Sequence, residues 1–295
     1  MSRTYKATGI NLKAIPLGET DRLLTILTPD VGLVRAVAPG SRKHQSRLGG
    51  RSDLFVVNDW LIVKGKRLDK LIQAETIRTF PGLSQNLGRL TASQYLAEIV
   101  LFTALSDCPQ KDLFHLLIEH LERLESSPSG ALLAALSHGI YHLLALAGVA
   151  PEVHRCCLTQ VEIVPNLLDP AWSVEFDTEA GGLVRPQGDE KDRPNPTLSS
   201  SGRPLPQVRT RQGRYTGQKP GSLWLTATDV ALLQQLSKPE LITTVPLTFP
   251  SLTSETFKTQ ELWSRIERLL REYAQGYFER PIRSAALVDV CFATV

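Results

Sequence analysis

Residues 34–60, VRAVAPGSRKHQSRLGGRSDLFVVNDW, decide how the first third of the chain is read. Both ends alternate apolar and polar residues, the period of a half-buried strand. Between them, Arg42, Lys43, Arg47 and Arg51 fall within ten residues, together with Gly40, Gly49 and Gly50. No Asp or Glu occurs between Pro39 and Asp53. Arginine offers forked donors to phosphate, and glycine lets a ligand approach the backbone. The stretch therefore reads as a polyanion-binding loop between two strands, or as a solvated, solubilising hairpin.

The surrounding sequence extends the strand reading. Tyr5 to Leu17, Arg22 to Thr28, Leu33 to Ala38, Leu54 to Lys64 and Leu71 to Phe80 are five short apolar runs. Turn residues separate them: Pro16-Leu17-Gly18, Pro29 to Gly32, Pro39-Gly40 and Gly65. Five strands in about 75 residues match a small barrel of the oligonucleotide-binding (OB) type, although barrel and sandwich both remain open. A second acid-poor cluster, Lys64, Lys66, Arg67 and Lys70, sits between runs four and five. Residues 1–80 hold fourteen Lys and Arg against seven Asp and Glu, whereas the remainder is mildly acidic. Two basic clusters on one barrel favour a nucleic-acid ligand, bound through Arg42, Lys43, Arg47, Arg51, Lys64, Lys66, Arg67 and Lys70, with Arg35 assisting. The aromatics here, Tyr5, Phe55, Trp60 and Phe80, occupy strand positions that favour a core over a stacking platform.

After Phe80 the apolar period changes to three and four. Ser84 to Leu105, Gln110 to Leu124 and Gly130 to Ala147 read as three helices punctuated by prolines. Residues 151–225 break the pattern, and Arg193 to Gly221, rich in proline and acid-free, is expected to be poorly ordered and to add weak phosphate contacts. A helix starts at Thr226, where Thr226 and Asp229 resemble a capping box, and a long amphipathic helix spans Thr253 to Tyr277. The expected domains are 1–80, a DNA-binding barrel, and 81–295, a helical domain with 151–225 as an irregular insertion. The fold class is thus α+β, multidomain.

Catalytic signatures are missing. The chain has no phosphate-cradling G-x-x-x-x-G-K-[ST], no G-x-S-x-G and no H-E-x-x-H. His138 and His142 have metal-competent spacing, but no carboxylate or cysteine lies near them in sequence. Glu119, Glu122 and Glu125 read as a solvated helix face. No run reaches 18 uncharged apolar residues, and the start lacks the pattern of a signal peptide, so the expectation is an intracellular protein without a membrane span. Cys108, Cys156, Cys157 and Cys291 are expected to be reduced. A non-enzymatic binder is the stronger reading; a metal-dependent nuclease lacks an identifiable carboxylate cluster.

Four segments carry a resemblance. GINLKAIPLGETDRLLTILTPDVGLVRAVAPGSRKHQSRLGG, FPGLSQNLGRLTASQYLAEIV, DLFHLLIEHLERL and ERPIRSAALV occur in an order and spacing similar to the RecO family of bacterial recombination-repair mediators. The resemblance implies an N-terminal OB barrel, a helical C-terminal domain and ATP-independent DNA annealing. It implies recombinase loading onto gaps coated by single-strand-binding protein, with RecR as a partner. Single- and double-stranded DNA would be the ligands, and the location cytoplasmic, at the nucleoid. The alternative is a general nucleic-acid-binding scaffold without annealing. Many members carry a four-cysteine zinc site. Here Cys156 matches the first ligand, but Thr159, Arg185 and Gly188 occupy the other positions, so no cofactor is expected. Apolar packing by Val174, Phe176 and Leu183 would replace the metal.

Overall fold

The structure, a computed structural model, describes residues 4–185, 222–240 and 255–292. The acid-free segment 193–221 lies outside the described residues. Five strands, β1 (Thr4–Leu17), β2 (Asp21–Thr28), β3 (Gly32–Ala38), β4 (Val57–Val63) and β5 (Asp69–Arg78), close in the order β1-β2-β3-β5-β4. This is the five-stranded barrel expected. Closure runs through a parallel contact in which Ala36 faces Asp69 and Val37 faces Lys70. Alternation along the strands sends Leu24, Ile26, Val34, Ala36, Trp60, Ile62, Leu71 and Ala74 into one core.

The basic loop between β3 and β4 is not a hairpin, because β5 lies between those two strands. It crosses the barrel end instead, and Leu48 enters the core from it. The loop also shortens the fourth strand, which begins at Val57 rather than Leu54. A short 3-10 turn covers Gly50–Ser52, and Phe55 adopts a left-handed φ of 61°. Its N–H donates to the Asn11 carbonyl at 2.9 Å, and the Asn11 N–H donates to Val56 at 3.2 Å. Those two bonds hold a conformation uncommon for a bulky residue.

Helices begin at Pro81. The single helix expected from Ser84 is split into α1 (Pro81–Ser84) and α2 (Leu87–Thr103), since the Asn86 side chain accepts the Arg89 N–H and caps a new start. Next come α3 (Lys111–Ser126) and α4 (Leu132–Leu146). Ser129–Leu146 is long and apolar enough by composition to cross a membrane. Twelve of the fifteen α4 residues are buried within the fold, however, as in the core helix of a bundle. The Glu face of α3 is not simply solvated: Glu122 pairs with Arg78 of β5, and Glu125 accepts the Gly82 N–H at 2.7 Å. The β2–β3 turn docks on the α2–α3 connection, where the Leu33 N–H donates to the Leu105 carbonyl at 2.8 Å. Gly32 is required there, with φ of 80° and a Cβ position 2.2 Å from that carbonyl oxygen.

Residues 151–235 form a second unit. It holds a three-stranded antiparallel sheet, with β6 (Ser173–Asp177) between β7 (Gly182–Val184) and β8 (Ser222–Thr226). These strands have only three to five residues, and β8 pairs with β6 across a long sequence separation, so no local period announced them. Val174, Phe176 and Leu183 are buried in this unit. Helix α5 (Ala227–Leu236) starts at the expected cap: Asp229 accepts the Thr226 N–H at 2.9 Å and hydroxyl at 2.8 Å. The remaining helices are α6 (Glu255–Phe278), which packs on α4, and α7 (Ala285–Cys291), whose seven residues were too few to show a period.

The two α4 histidines meet a third from α3. His120 Nε2 lies 3.2 Å from His142 Nδ1, and Arg123 lies 2.9 Å from His138 Nδ1. The Lys238 carbonyl lies 2.8 Å from His138 Nε2 and 3.1 Å from His142 Nε2. One assignment satisfies these contacts: all three rings neutral and protonated at Nε2. Burial, then the neighbouring rings and Arg123, holds His120 down at about 2. Burial likewise lowers His138 to about 4, against the Lys238 carbonyl. The unfolded chain takes up these protons near pH 6.5 while the folded chain does not, so stability falls as pH drops from 6.5 towards 4. The urea midpoint should decline across that window, and His120→Phe should flatten the decline. Equal pH dependence in the two proteins would contradict the neutral assignment.

Candidate nucleic-acid interface

Arg35 points outward from the middle of β3, flanked by the buried Val34 and Ala36. The parallel register brings the start of β5 beside it. The β4–β5 turn then places Lys64, Lys66 and Arg67 around the same concavity. The resulting cleft has a volume of about 480 Å³ and an apolar floor that includes Val31, Leu33 and Val34. All four cations are exposed.

The turn is rigidly held. Tyr5 donates its hydroxyl to Asp69 Oδ2 at 2.7 Å, and the Gly65 N–H donates to Asp69 Oδ1 at 3.1 Å. Burial and the Asp69 carboxylate push the Tyr5 hydroxyl up, so it stays a donor. A Cβ at Gly65 would lie 1.8 Å from the Leu68 carbonyl oxygen, so only glycine fits this turn. Asp69 and Asp107 also line the cleft, but both Asp69 oxygens already accept hydrogen bonds. The cleft therefore offers four cations to an anion against one carboxylate without a bond to Tyr5 or the turn.

The remaining predicted residues lie farther along the barrel. Lys70 and Lys43 both act on Asp21, whose carboxyl is held low first by the Gly40 N–H and the Thr20 hydroxyl, then by these lysines. Arg42, Lys43 and Arg47 are exposed, whereas Arg51 is half-buried. Arg42 donates to the Gly18 carbonyl at 2.9 Å. Arg51 donates to the Arg47 carbonyl, and its own carbonyl accepts from the amides of Asn11 and Asn58, each at 2.9 Å. Two of the three loop arginines thus brace the loop. The structure gathers Arg35, Lys64, Lys66 and Arg67 into one cleft and spreads Arg42, Lys43, Arg47, Arg51 and Lys70 along the adjoining loop and strand.

A second cleft shares Arg35. It adds Lys13 from β1 and Arg280 and Arg283 from the segment after α6. Sequence reading missed these three. Arg280 and Arg283 lie three residues apart but some 245 residues from Arg35, and only the outward position of Lys13 in the β1 alternation hinted at a role.

Phe55, Trp60 and Phe80 are buried, and Tyr5 is half-buried with its hydroxyl engaged. The barrel surface is therefore built for charge rather than for base stacking.

Cys156 is buried, and its sulfur accepts the Arg185 N–H at 3.3 Å. Burial opposes ionisation of this thiol, but hydrogen bonds from Thr159, Arg185 and Leu158 outweigh it and bring it down to about 7. Thr159 and Arg185, which stand where the resemblance has ligands, thus supply donors to the sulfur. Gly188 lies outside the described residues. Among the described residues no group of three His, Cys, Asp or Glu side chains is arranged to hold a metal.

The chain was compared with known families and curated proteins. Residues 1–80 match the family model for the N-terminal part of recombination protein O, and residues 84–212 match that for its C-terminal part. The chain is 49% identical to the DNA repair protein RecO of Nostoc sp., covering 99% of this chain and 98% of the relative. It is 48% identical to that of Acaryochloris marina (99% and 96%) and 44% identical to that of Gloeobacter violaceus (98% and 94%).

Proposed function

The chain belongs to the RecO family, and from that premise we propose that it is an ATP-independent DNA-binding and strand-annealing mediator of recombinational repair. One observation carries this reading above the others. Four cations converge on a concave face of an OB-type barrel, with an apolar floor between them. Phosphates entering the cleft release counterions, which drives binding without reading sequence. Two strands held on a cationic face repel each other less, and complementary bases then pair without nucleotide hydrolysis. The chain acts as a binder and not as an enzyme. It works in the cytoplasm at the nucleoid, without a membrane, on single- and double-stranded DNA. Together with RecR it helps load the recombinase onto gaps coated by single-strand-binding protein.

Annealing of complementary oligonucleotides without ATP tests this reading. A rate above the spontaneous one is expected. Tight binding with no acceleration would leave only the general scaffold.

The same reading includes a fold without structural zinc, supported by the donors around Cys156 and the apolar packing of Val174, Phe176 and Leu183. Metal analysis of the purified protein should find no stoichiometric zinc, and a chelator should leave the melting temperature unchanged. One zinc per chain would overturn it.

A further inference from the structure

We infer that the cleft formed by Lys13, Arg35, Arg280 and Arg283 is a second binding site for the backbone of single-stranded nucleic acid, continuous with the first. The inference rests on the nucleic-acid reading of the barrel and adds a path to it. The cleft has a volume of about 430 Å³, within the range of small-ligand pockets. It lies where β1, β2 and β3 face α2 and the segment that follows α6. Arg35 lines both clefts, so the two share a wall. A strand leaving Lys64, Lys66 and Arg67 would pass Arg35 and arrive among Lys13, Arg280 and Arg283.

The chemistry favours a nucleic-acid strand. Three of the four cations are arginines, whose planar forks match phosphate oxygens. The cleft also contains one carboxylate, Glu98, but its Oε2 accepts both the Ser284 N–H at 3.1 Å and the Ser284 hydroxyl at 2.9 Å. Those bonds tie Glu98 to the start of α7 and fix the segment that carries Arg280 and Arg283. Arg280 lies over the Phe102 ring at 5.9 Å, and Phe102 packs on Phe278 at 5.6 Å, so the guanidinium is held at the cleft edge. Ile15, Leu23, Leu101 and Phe102 supply an apolar floor. A single strand has sugar and base faces to lay on such a floor. A duplex hides its base faces and would offer the rim only phosphates.

The test is oligothymidylate binding as a function of salt, using the full chain. With about 0.7 log–log units per phosphate on a single strand, Arg280→Ala with Arg283→Ala should reduce the slope by about 1.4. At roughly 0.1 M salt that corresponds to about 25-fold weaker binding. Lys13→Ala, on an exposed strand position and without a role in packing Phe102, should reduce the slope by about 0.7. Arg280→Lys with Arg283→Lys should keep most of the slope. Unchanged affinity and slope in both alanine variants, with binding lost on changing Lys64, Lys66 and Arg67, would overturn this site while leaving the barrel reading intact. No salt-dependent binding by the unmodified chain would overturn both. Loss of oligoglutamate binding without loss of oligothymidylate binding in the alanine variants would mark an acidic-peptide site and also overturn the inference.

Discussion

Changing Arg35, Lys64, Lys66 and Arg67 together to alanine is expected to weaken single-strand binding by roughly 600-fold at about 0.1 M salt. The figure assumes one phosphate per cation. Four contacts at about 0.7 units each remove nearly three units from the log–log slope. The loss should therefore shrink as salt rises and vanish where the ionic part of binding is already screened. All four side chains are exposed, so their removal should leave the melting temperature close to that of the unmodified chain. Changing Arg42, Lys43, Arg47 and Arg51 should do less to binding and more to stability. Arg42 and Arg51 donate to carbonyls that brace the loop carrying Leu48 into the barrel core. A titration of fluorescent oligothymidylate across salt separates the two sets. If the loop set removes more slope than the cleft set, the DNA path runs over the loop and the cleft assignment fails.

The second large effect concerns stability. Arg271 of α6 bonds Glu267 within its own helix at 3.0 and 2.5 Å, and Asp289 of α7 at 2.8 and 3.0 Å. Glu267 is 1% exposed. Burial pushes its carboxyl up, and the Arg271 guanidinium opposes that rise. Arg271→Leu would leave that carboxylate buried without its cation and should cost about 3–5 kcal/mol. The deficit should shrink at low pH, because protonation of Glu267 removes the buried charge. Adding Glu267→Gln to Arg271→Leu should recover part of the loss for the same reason. Urea unfolding of the three proteins at neutral and acidic pH measures all of this. A deficit below about 1 kcal/mol, or one that grows on acidification, would show that the network does not hold α6 and α7 as described.

Much of this architecture could be read from the chain. Period-2 alternation gave five strands, and the shift to a period of three to four after Phe80 gave α2, α3 and α4. The Thr226–Asp229 cap was legible because it is local. What escaped is non-local. Nothing in the sequence indicates that β5 inserts between β3 and β4, which turns the apparent hairpin loop into a barrel-end crossing. The left-handed Phe55 depends on a partner at Asn11, and the β6–β8 pairing spans the acid-free segment. The candidate site divides in the same way. Lys64, Lys66 and Arg67 cluster in sequence and were visible as a group. Arg35 was visible only as an outward strand position. Lys13, Arg280 and Arg283 come together only because the chain end folds back on the barrel. The charge of Glu122 and Glu125 was legible, but their partners Arg78 and Gly82 were not, so two tethers resembled a solvated face.

The most direct test of the central claim is annealing of complementary oligonucleotides without ATP, measured for the unmodified chain beside the variant lacking Arg35, Lys64, Lys66 and Arg67. Acceleration by the first and a rate near the spontaneous one for the second would place strand pairing on the barrel cleft. Equal acceleration by both, with both proteins folded, would contradict it.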